Sequence, residues 1–301
     1  HRDLHSFPTR RSSDLRFFVP ESPLELHTWL GRSCSVDIQK RFPDIRLQLE
    51  ELNRVFENDK KRTEQASSLN VKIGYGTHTN AGIGKLKPED DYRPLDEVNE
   101  DRYFFEYAPD GNNHLALAVL ADGISNCKVG SGSGAAEIVK EVAQKLWKEK
   151  ALALHTHQDA EQFIVDLIQT ANREIVQDTA TYIPDPKPDE KIEIPPSDLM
   201  GSTCAICLLY GNEAILANVG DTRIYLWSPE SGLLLVSPDD NQINHWILSG
   251  VDWDEIQTRE GKSSLTAHLG SADTTVWPPK PHEIKTHITS LKIKEGEIII
   301  L

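Results

Sequence analysis

Two short apolar runs near the middle of the chain predict a β-hairpin. The runs are Tyr103–Phe105 and Leu115–Leu120, and residues 109–113 between them are Pro, Asp, Gly and Asn. That composition is typical of a turn between neighbouring strands. In an antiparallel hairpin the start of the first strand lies beside the end of the second. We therefore expect the pair Glu100–Asp101 to lie close to Asp122.

Three longer segments repeat apolar residues at three- and four-residue steps, which is the period of a helix with one buried face. They are Asp44–Gln65, Ala135–Trp147 and Asp159–Asp178. We expect the last two to pack on a sheet, and Asp159 with Gln162 to cap the third helix. The first helix carries its apolar stripe at Ile45, Leu49, Leu52 and Phe56.

The second half of the chain contains β-rich runs separated by turn residues. The first three predict an antiparallel meander, a helical or irregular segment follows at 241–260, and two more strands close the sequence. This order predicts an α+β fold, in which sheets pack together with helices outside them. The predicted strands are Ser202–Tyr210, Glu213–Val219, Arg223–Trp227, Glu283–Leu291 and Glu297–Leu301.

Composition narrows the class of protein. A net charge of -15 disfavours nucleic acid as a partner, because binding it requires clustered Lys and Arg. No apolar run reaches the roughly 20 residues of a membrane helix, so we expect no membrane partner. The 4 cysteines are too few for a disulfide framework and favour a reducing compartment. We therefore predict a cytoplasmic protein.

The carboxylates of Glu100, Asp101 and Asp122 are the candidate chemistry. Three such groups at one edge of a sheet repel each other unless a cation lies between them. Oxygen-only ligands suit hard ions such as Mg²⁺ or Mn²⁺. The alternative is that they are ordinary solvated turn acids. Their pairing and their position at strand ends favour the metal site.

Two other motifs suggest sites that we disfavour. Residues 130–135 (Gly-Ser-Gly-Ser-Gly-Ala) fit a dinucleotide fingerprint, but Asp122–Val129 separate them from the preceding strand, so we favour a flexible start to a helix. Cys204 and Cys207 lie three apart on a strand and point to opposite faces. We expect core packing for both, not a zinc site.

Residues 71–301 resemble the metal-dependent type 2C protein serine/threonine phosphatase family, in its bacterial form. The resemblance implies a four-layer sandwich of two antiparallel sheets flanked by helices, a phosphoprotein substrate and a monomeric protein. It depends on the order and spacing of short motifs, which are Asn99–Arg102, Ala121–Gly123, Gly201–Thr203, Ala217–Arg223, Ser237–Asp240, Leu265–Thr266 and Leu269–Gly270.

The resemblance also implies a role for each acidic residue. Asp122 would bridge two Mn²⁺ or Mg²⁺ ions, and Glu100 with the Gly123 carbonyl would bind the second ion. Asp101 would orient the attacking water, which makes Asp101 and Asp122 the implied catalytic residues, and Asp221 would hold a looser third ion. Water activated by the ions attacks phosphorus, so no covalent phosphoenzyme is needed.

The sequence departs from the family pattern at two positions. Asp96 stands where the family has its phosphate-binding Arg, which leaves Arg93, Lys85 and Lys87 as candidates. Residues 124–127 (Ile-Ser-Asn-Cys) lack the His that many members use as a general acid, so water or another side chain would protonate the leaving group. These departures keep a second hypothesis open, that of a catalytically weak or inactive relative that binds phosphoproteins or regulates a partner.

The two ends of the chain carry separate expectations. Residues 1–15 resemble the conceptual translation of a sequencing adapter and receive no biological role, residues 16–69 form an N-terminal helical arm, and residues 70–301 form the phosphatase-like domain. Leu301 ends an apolar run in mid-strand, so we expect the chain to be truncated there. The family pattern implies a later Asp-Gly and Asp-Asn, and we expect little activity from the 301 residues alone.

Overall fold

The computed structural model describes residues 26, 29, 44–66, 73–78, 99–109, 114–185 and 194–301. The α-helices among these residues are α1 (Ile45–Ala66), α2 (Gly132–Lys150), α3 (His157–Thr181), α4 (Gln242–Leu248) and α5 (Trp253–Thr258). The strands are β1 (Asp101–Tyr107), β2 (Leu115–Asp122), β3 (Cys204–Tyr210), β4 (Glu213–Val219), β5 (Tyr225–Ser228), β6 (Gly232–Leu235), β7 (Ala272–Asp273), β8 (Lys280–Pro281), β9 (His287–Lys292) and β10 (Ile298–Ile300).

The strands form two main antiparallel sheets. The first has the order β1-β2-β3-β4-β9 and the second has the order β10-β5-β6, while β7 and β8 pair separately. The predicted hairpin is confirmed, because β1 and β2 pair along their whole length. The predicted meander is wrong at its third strand, since β5 leaves the first sheet and β9 pairs with β4 instead. Gly220, with φ +95, turns the chain away from β4 before β5 begins.

The first sheet lies between the helices and the second sheet. One of its faces, which includes Leu117 and Ile206, packs in a core with α2 and α3. Its other face, which includes Ala205 and Leu216, packs against Leu226 of β5. The α+β prediction with two antiparallel sheets is therefore confirmed. On the outer face of the second sheet, where the predicted fourth layer would lie, the exposed apolar side chains are Trp227, Leu233, Ile298 and Ile300.

The cysteines on β3 pack as the sequence predicts. Cys204 belongs to the core under the helices, and Cys207 belongs to the core between the two sheets. Burial raises the pKa of both thiols to about 12, so neither is available as a thiolate ligand. Both are free, as is Cys127. Across the described residues, no helix is both long and apolar enough to cross a bilayer.

Side-chain caps begin α2 and α3. The Ser131 hydroxyl accepts a 3.0 Å bond from the Gly134 amide, so the glycine-rich run starts a helix. In α3 the cap is Thr156, which exchanges hydrogen bonds with Asp159 in a capping box. The prediction that Asp159 pairs with Gln162 is therefore wrong. Asp159 is the third residue of the helix, and its carboxylate accepts a 2.9 Å bond from the Thr156 amide.

The N-terminal helix covers only part of the predicted apolar stripe. Val55 is 4% exposed, whereas Leu49 and Phe56 of the predicted stripe are 52% and 50% exposed. The partly covered residues Gln48 and Leu52 share the face of Val55. The helix contacts β9, so tertiary packing and not the apolar pattern alone decides which of its side chains are covered.

Asn172 on α3 fastens the segment that follows Leu269. It is 1% exposed, its amide nitrogen donates to the His282 carbonyl at 2.8 Å, and its oxygen accepts from the Gly270 amide at 2.7 Å. These bonds join the helix layer to a segment about a hundred residues later, which reaches the functional site described below.

Replacement of Asn172 by alanine should lower the free energy of unfolding by about 2 kcal/mol, because it leaves the buried Gly270 amide without a partner and removes the bond to the His282 carbonyl. Urea unfolding measures the change. Gln177→Ala, at an exposed position of the same helix, is the control and should stay within about 0.5 kcal/mol of the wild type. Equal unfolding free energies for the two variants would contradict this role of Asn172.

Candidate functional site

Several strand ends meet at one edge of the first sheet. Asp101 begins β1, Asp122 ends β2, and the register places the two residues directly opposite each other. The start of β3 and the end of β4 lie at the same edge, because Cys204 pairs with Val219. We call this edge, with Glu100, Asp101, Asp122 and Asp221, the acidic edge.

Glu100 is tied to the end of β2 and to the start of α2. Its carbonyl accepts a 3.1 Å bond from the Gly123 amide, and its carboxylate accepts a hydrogen bond from the Ser125 hydroxyl. A Cβ placed on Gly132, the first residue of α2, would lie 2.9 Å from Glu100 Oε1. The positive end of the α2 dipole therefore lies next to the Glu100 carboxylate.

Residues before β3 hold the Asp122–Gly123 turn. The Asp122 carbonyl accepts from the Thr203 amide at 2.8 Å and from the Ser202 hydroxyl at 3.1 Å. Ser202 also forms isolated antiparallel β-bridges with Gly123 and with Leu269. The Gly-Ser-Thr and Leu-Gly motifs thus support the turn through backbone contacts, which leaves the exposed Asp122 side chain on the solvent side.

Asp221 reaches the same edge through Thr203. The Thr222 and Thr203 hydroxyls share a hydrogen bond. A Cβ on Gly220 would lie only 2.5 Å from Thr203 Cγ2, so the turn packs directly on that side chain. Although Asp221 keeps solvent contact, partial burial raises the pKa of its carboxyl, and the charge of Asp239 raises it further.

The basic groups near Asp221 are already engaged. Arg223 binds Asp239 through two hydrogen bonds of 2.8 and 2.6 Å, and these bonds raise the pKa of the guanidinium. His287 lies 3.1 Å from Asp240, which also accepts from the Gly220 amide. A cavity of about 610 Å³ opens beside Asp221 and is also lined by Lys262.

The donor set fits a hard cation. The candidates offer only carboxylate and carbonyl oxygens, and like charges directly opposite each other on paired strands destabilise a sheet unless a cation neutralises them. The structure brings Asp101 opposite Asp122 and ties Glu100 to Gly123. Within the described ranges it does not bring any three His, Cys, Asp or Glu side chains close enough together to hold a metal ion.

The candidates for binding the phosphoryl group, Lys85, Lys87 and Arg93, lie outside the described residues. Sequence reasoning assigned no role to Ser125 or to Arg102, although Arg102 ends the Asn99–Arg102 motif and stands next to the acidic pair. It also missed His268, whose ring lies 3.0 Å from the Cβ position of Gly201 and whose pKa is lowered by burial.

Known proteins are similar in sequence to this chain. The model of a family described as protein phosphatase 2C matches residues 95–247. The serine/threonine phosphatase stp of Listeria monocytogenes is 26% identical over 178 residues, which cover 56% of this chain and 63% of that protein. This chain therefore spans somewhat less than two thirds of that relative.

Two solved structures are similar. The serine/threonine phosphatase Stp1 of Staphylococcus aureus superposes with a TM-score of 0.51 and 20% identity, covering 75% of each chain. The serine/threonine phosphatase of S. agalactiae gives a TM-score of 0.49 and 21% identity, covering 67% of this chain and 71% of that one. At this level of identity, the Staphylococcus structure supports the fold alone.

Proposed function

The chain belongs to the protein phosphatase 2C family, and from this premise we propose that the protein is a metal-dependent protein serine/threonine phosphatase. The observation that carries the proposal is the pair Asp101 and Asp122, which face each other across β1 and β2 inside the matched region. Its substrate would be a phosphoserine or phosphothreonine protein. We further propose that residues 70–301 form the phosphatase domain and that it acts as a monomer in the cytoplasm.

Three residues of the acidic edge and the Gly123 carbonyl would hold the ions. Asp122 would bind two Mn²⁺ or Mg²⁺ ions. Glu100 and the Gly123 carbonyl would bind the second of these ions, and Asp221 would bind a third ion more loosely. The solvent-side position of Asp122 and the anchoring of its carbonyl by Thr203 support this assignment. When bound, the ions would lower the pKa of water and neutralise phosphoryl oxygens.

The protein groups orient the reactants. Asp101, half-buried and opposite Asp122, would accept a hydrogen bond from the attacking water and hold its proton. Ser125 and the start of α2 would keep the Glu100 carboxylate in place. Lys85, Lys87 and Arg93 remain the candidates for binding the phosphoryl group.

Two observations favour the second hypothesis, that of a phosphoprotein-binding relative with little or no turnover. The described residues do not assemble three metal-ligating side chains, and residues 124–127 offer no histidine. Such a protein would bind a phosphothreonine peptide without hydrolysing it.

Full-length protein should hydrolyse both an aryl phosphate and a phosphothreonine peptide in Mn²⁺ and lose this activity in excess chelator, since the reaction needs the ions. Phosphate release measures the rate, and added Mn²⁺ after chelation should restore it. Turnover that chelator leaves unchanged would reject the metal-dependent mechanism. Peptide binding by calorimetry without phosphate release would favour the second hypothesis.

A further inference from the structure

Arg102 lies immediately after the acidic pair and binds the backbone around it. Its Nη1 donates to the Asn99 carbonyl at 2.7 Å and to the Asp101 carbonyl at 2.9 Å. These two carbonyls flank Glu100 on either side in the sequence. One guanidinium nitrogen therefore fixes the path of the chain on both sides of that residue.

The guanidinium is itself anchored on α2. Its Nε donates to Glu137 Oε2 at 2.6 Å, and Glu137 Oε1 accepts from Lys140 at 2.6 Å. Burial acts to raise the pKa of Glu137, but the hydrogen bonds from Lys140 and Arg102 outweigh it and lower the pKa. Glu137 is thus a charged acceptor that holds Arg102 against the helix.

The segment that Arg102 binds, Asn99–Asp101, lies where the chain joins the first sheet. The ladder of β1 and β2 begins only at Asp101, and backbone at a strand end opens more easily than backbone inside a ladder. The Asp101 amide donates to the Asn99 side chain at 3.1 Å, and the Gly123 amide donates to the Glu100 carbonyl. A shift of the Asn99–Asp101 backbone would therefore move Glu100 relative to Gly123.

We propose that Arg102 is a positioning residue of the acidic edge, which holds the Asn99–Asp101 backbone so that Glu100 stays beside Gly123 and Asp101 stays opposite Asp122, with Glu137 as its anchor. The proposal rests on the proposed function for its consequence, which is metal binding. Arg102 does not touch the reacting atoms. It acts through the two carbonyls that it binds.

Lysine in place of arginine is the sharpest test. An ammonium on a flexible stem keeps the charge but cannot reproduce the planar fork that reaches two carbonyls and a carboxylate at once. Arg102→Lys should speed amide hydrogen exchange at Asp101 and Gly123 at least about fivefold, because the backbone loses its clamp. Amides in the middle of β2, such as Val119, should be unchanged.

The same variant should weaken binding of Mn²⁺ about tenfold in calorimetry of the full-length protein, the usual effect of losing a group that orients a metal ligand. Its kcat should recover when Mn²⁺ is raised, which a general loss of fold would not allow. Glu137→Gln keeps one oxygen acceptor and should fall between Arg102→Lys and the wild type. Arg173→Lys, an exposed arginine of α3, makes the same chemical change elsewhere and is the control.

The two measurements separate the inference from the proposed function. Exchange at Asp101 and Gly123 that matches the wild type would overturn the role of Arg102, and so would a uniform increase along β1–β4. Mn²⁺ affinity unchanged in Arg102→Lys would also overturn it. A wild type that neither binds Mn²⁺ nor hydrolyses phosphate would reject the proposed function, and exchange at the two amides would still decide whether Arg102 holds the segment.

Discussion

Asp122→Asn is expected to lower kcat on the order of a thousandfold in full-length protein, since the carboxylate that we propose as a ligand of both ions is neutralised and several kcal/mol of their stabilisation would be lost. Asparagine keeps the size of the side chain, and the anchoring contacts of Asp122 use its carbonyl. The fold should therefore persist. Phosphate release and Mn²⁺ calorimetry on the same preparation measure the two effects.

The control for this experiment is Asp185→Asn, which removes one exposed carboxylate just after α3. It should retain wild-type turnover and wild-type metal affinity. Circular dichroism of both variants checks the fold. Near-normal turnover in Asp122→Asn would mean that the carboxylate at the end of β2 is not a metal ligand, and the assignment of the acidic edge would have to be abandoned.

Gly132→Ala is expected to destabilise the protein by about 3 kcal/mol, the upper range for forcing an atom into a filled space. The added Cβ would lie 2.7 Å from the Ile124 carbonyl oxygen and 2.8 Å from the Gly123 carbonyl carbon, so backbone must move. Relief of this contact would push α2 away from the Asp122–Gly123 turn. Urea unfolding measures the stability, and weaker Mn²⁺ binding should accompany the loss.

Gly134→Ala is the matched control, two residues later in the same helix. Its Cβ would meet first the Ser131 hydroxyl at 3.0 Å, a side-chain atom that has to shift by only a few tenths of an ångström. Alanine in a helix is favoured over glycine by about 0.5–1 kcal/mol, so this variant should be neutral or slightly more stable. If both alanines had the same effect, the close approach of α2 to the turn would not be the cause.

Local patterns predicted the elements of the site well. The apolar runs and the turn composition of 109–113 predicted β1, β2 and the proximity of Asp101 to Asp122. The helical period predicted α2 and α3 within a few residues of their bounds. These inferences succeed because periodicity and turn chemistry depend on residues close together in the chain.

The wrong predictions concern positions that more than one residue or strand could occupy. Thr156 and Asp159 both suit the start of α3, and the choice between them depends on which residue adopts the extended conformation of a cap. The sequence predicts β5 beside β4, but β9 occupies that edge. In α1, Leu49 and Phe56 of the predicted stripe are exposed, while Val55 outside it is buried.

The sequence by itself therefore determined the acidic residues, the hairpin that carries them and the helices that cover the sheet. Only the tertiary structure decided which strand lies beside β4, how Ser202 and Leu269 support the turn at Gly123, and that Arg102 joins Glu137 across 35 positions of sequence. Such contacts join residues far apart in the chain. Their partners are selected by the geometry of the assembled layers, which no local pattern encodes.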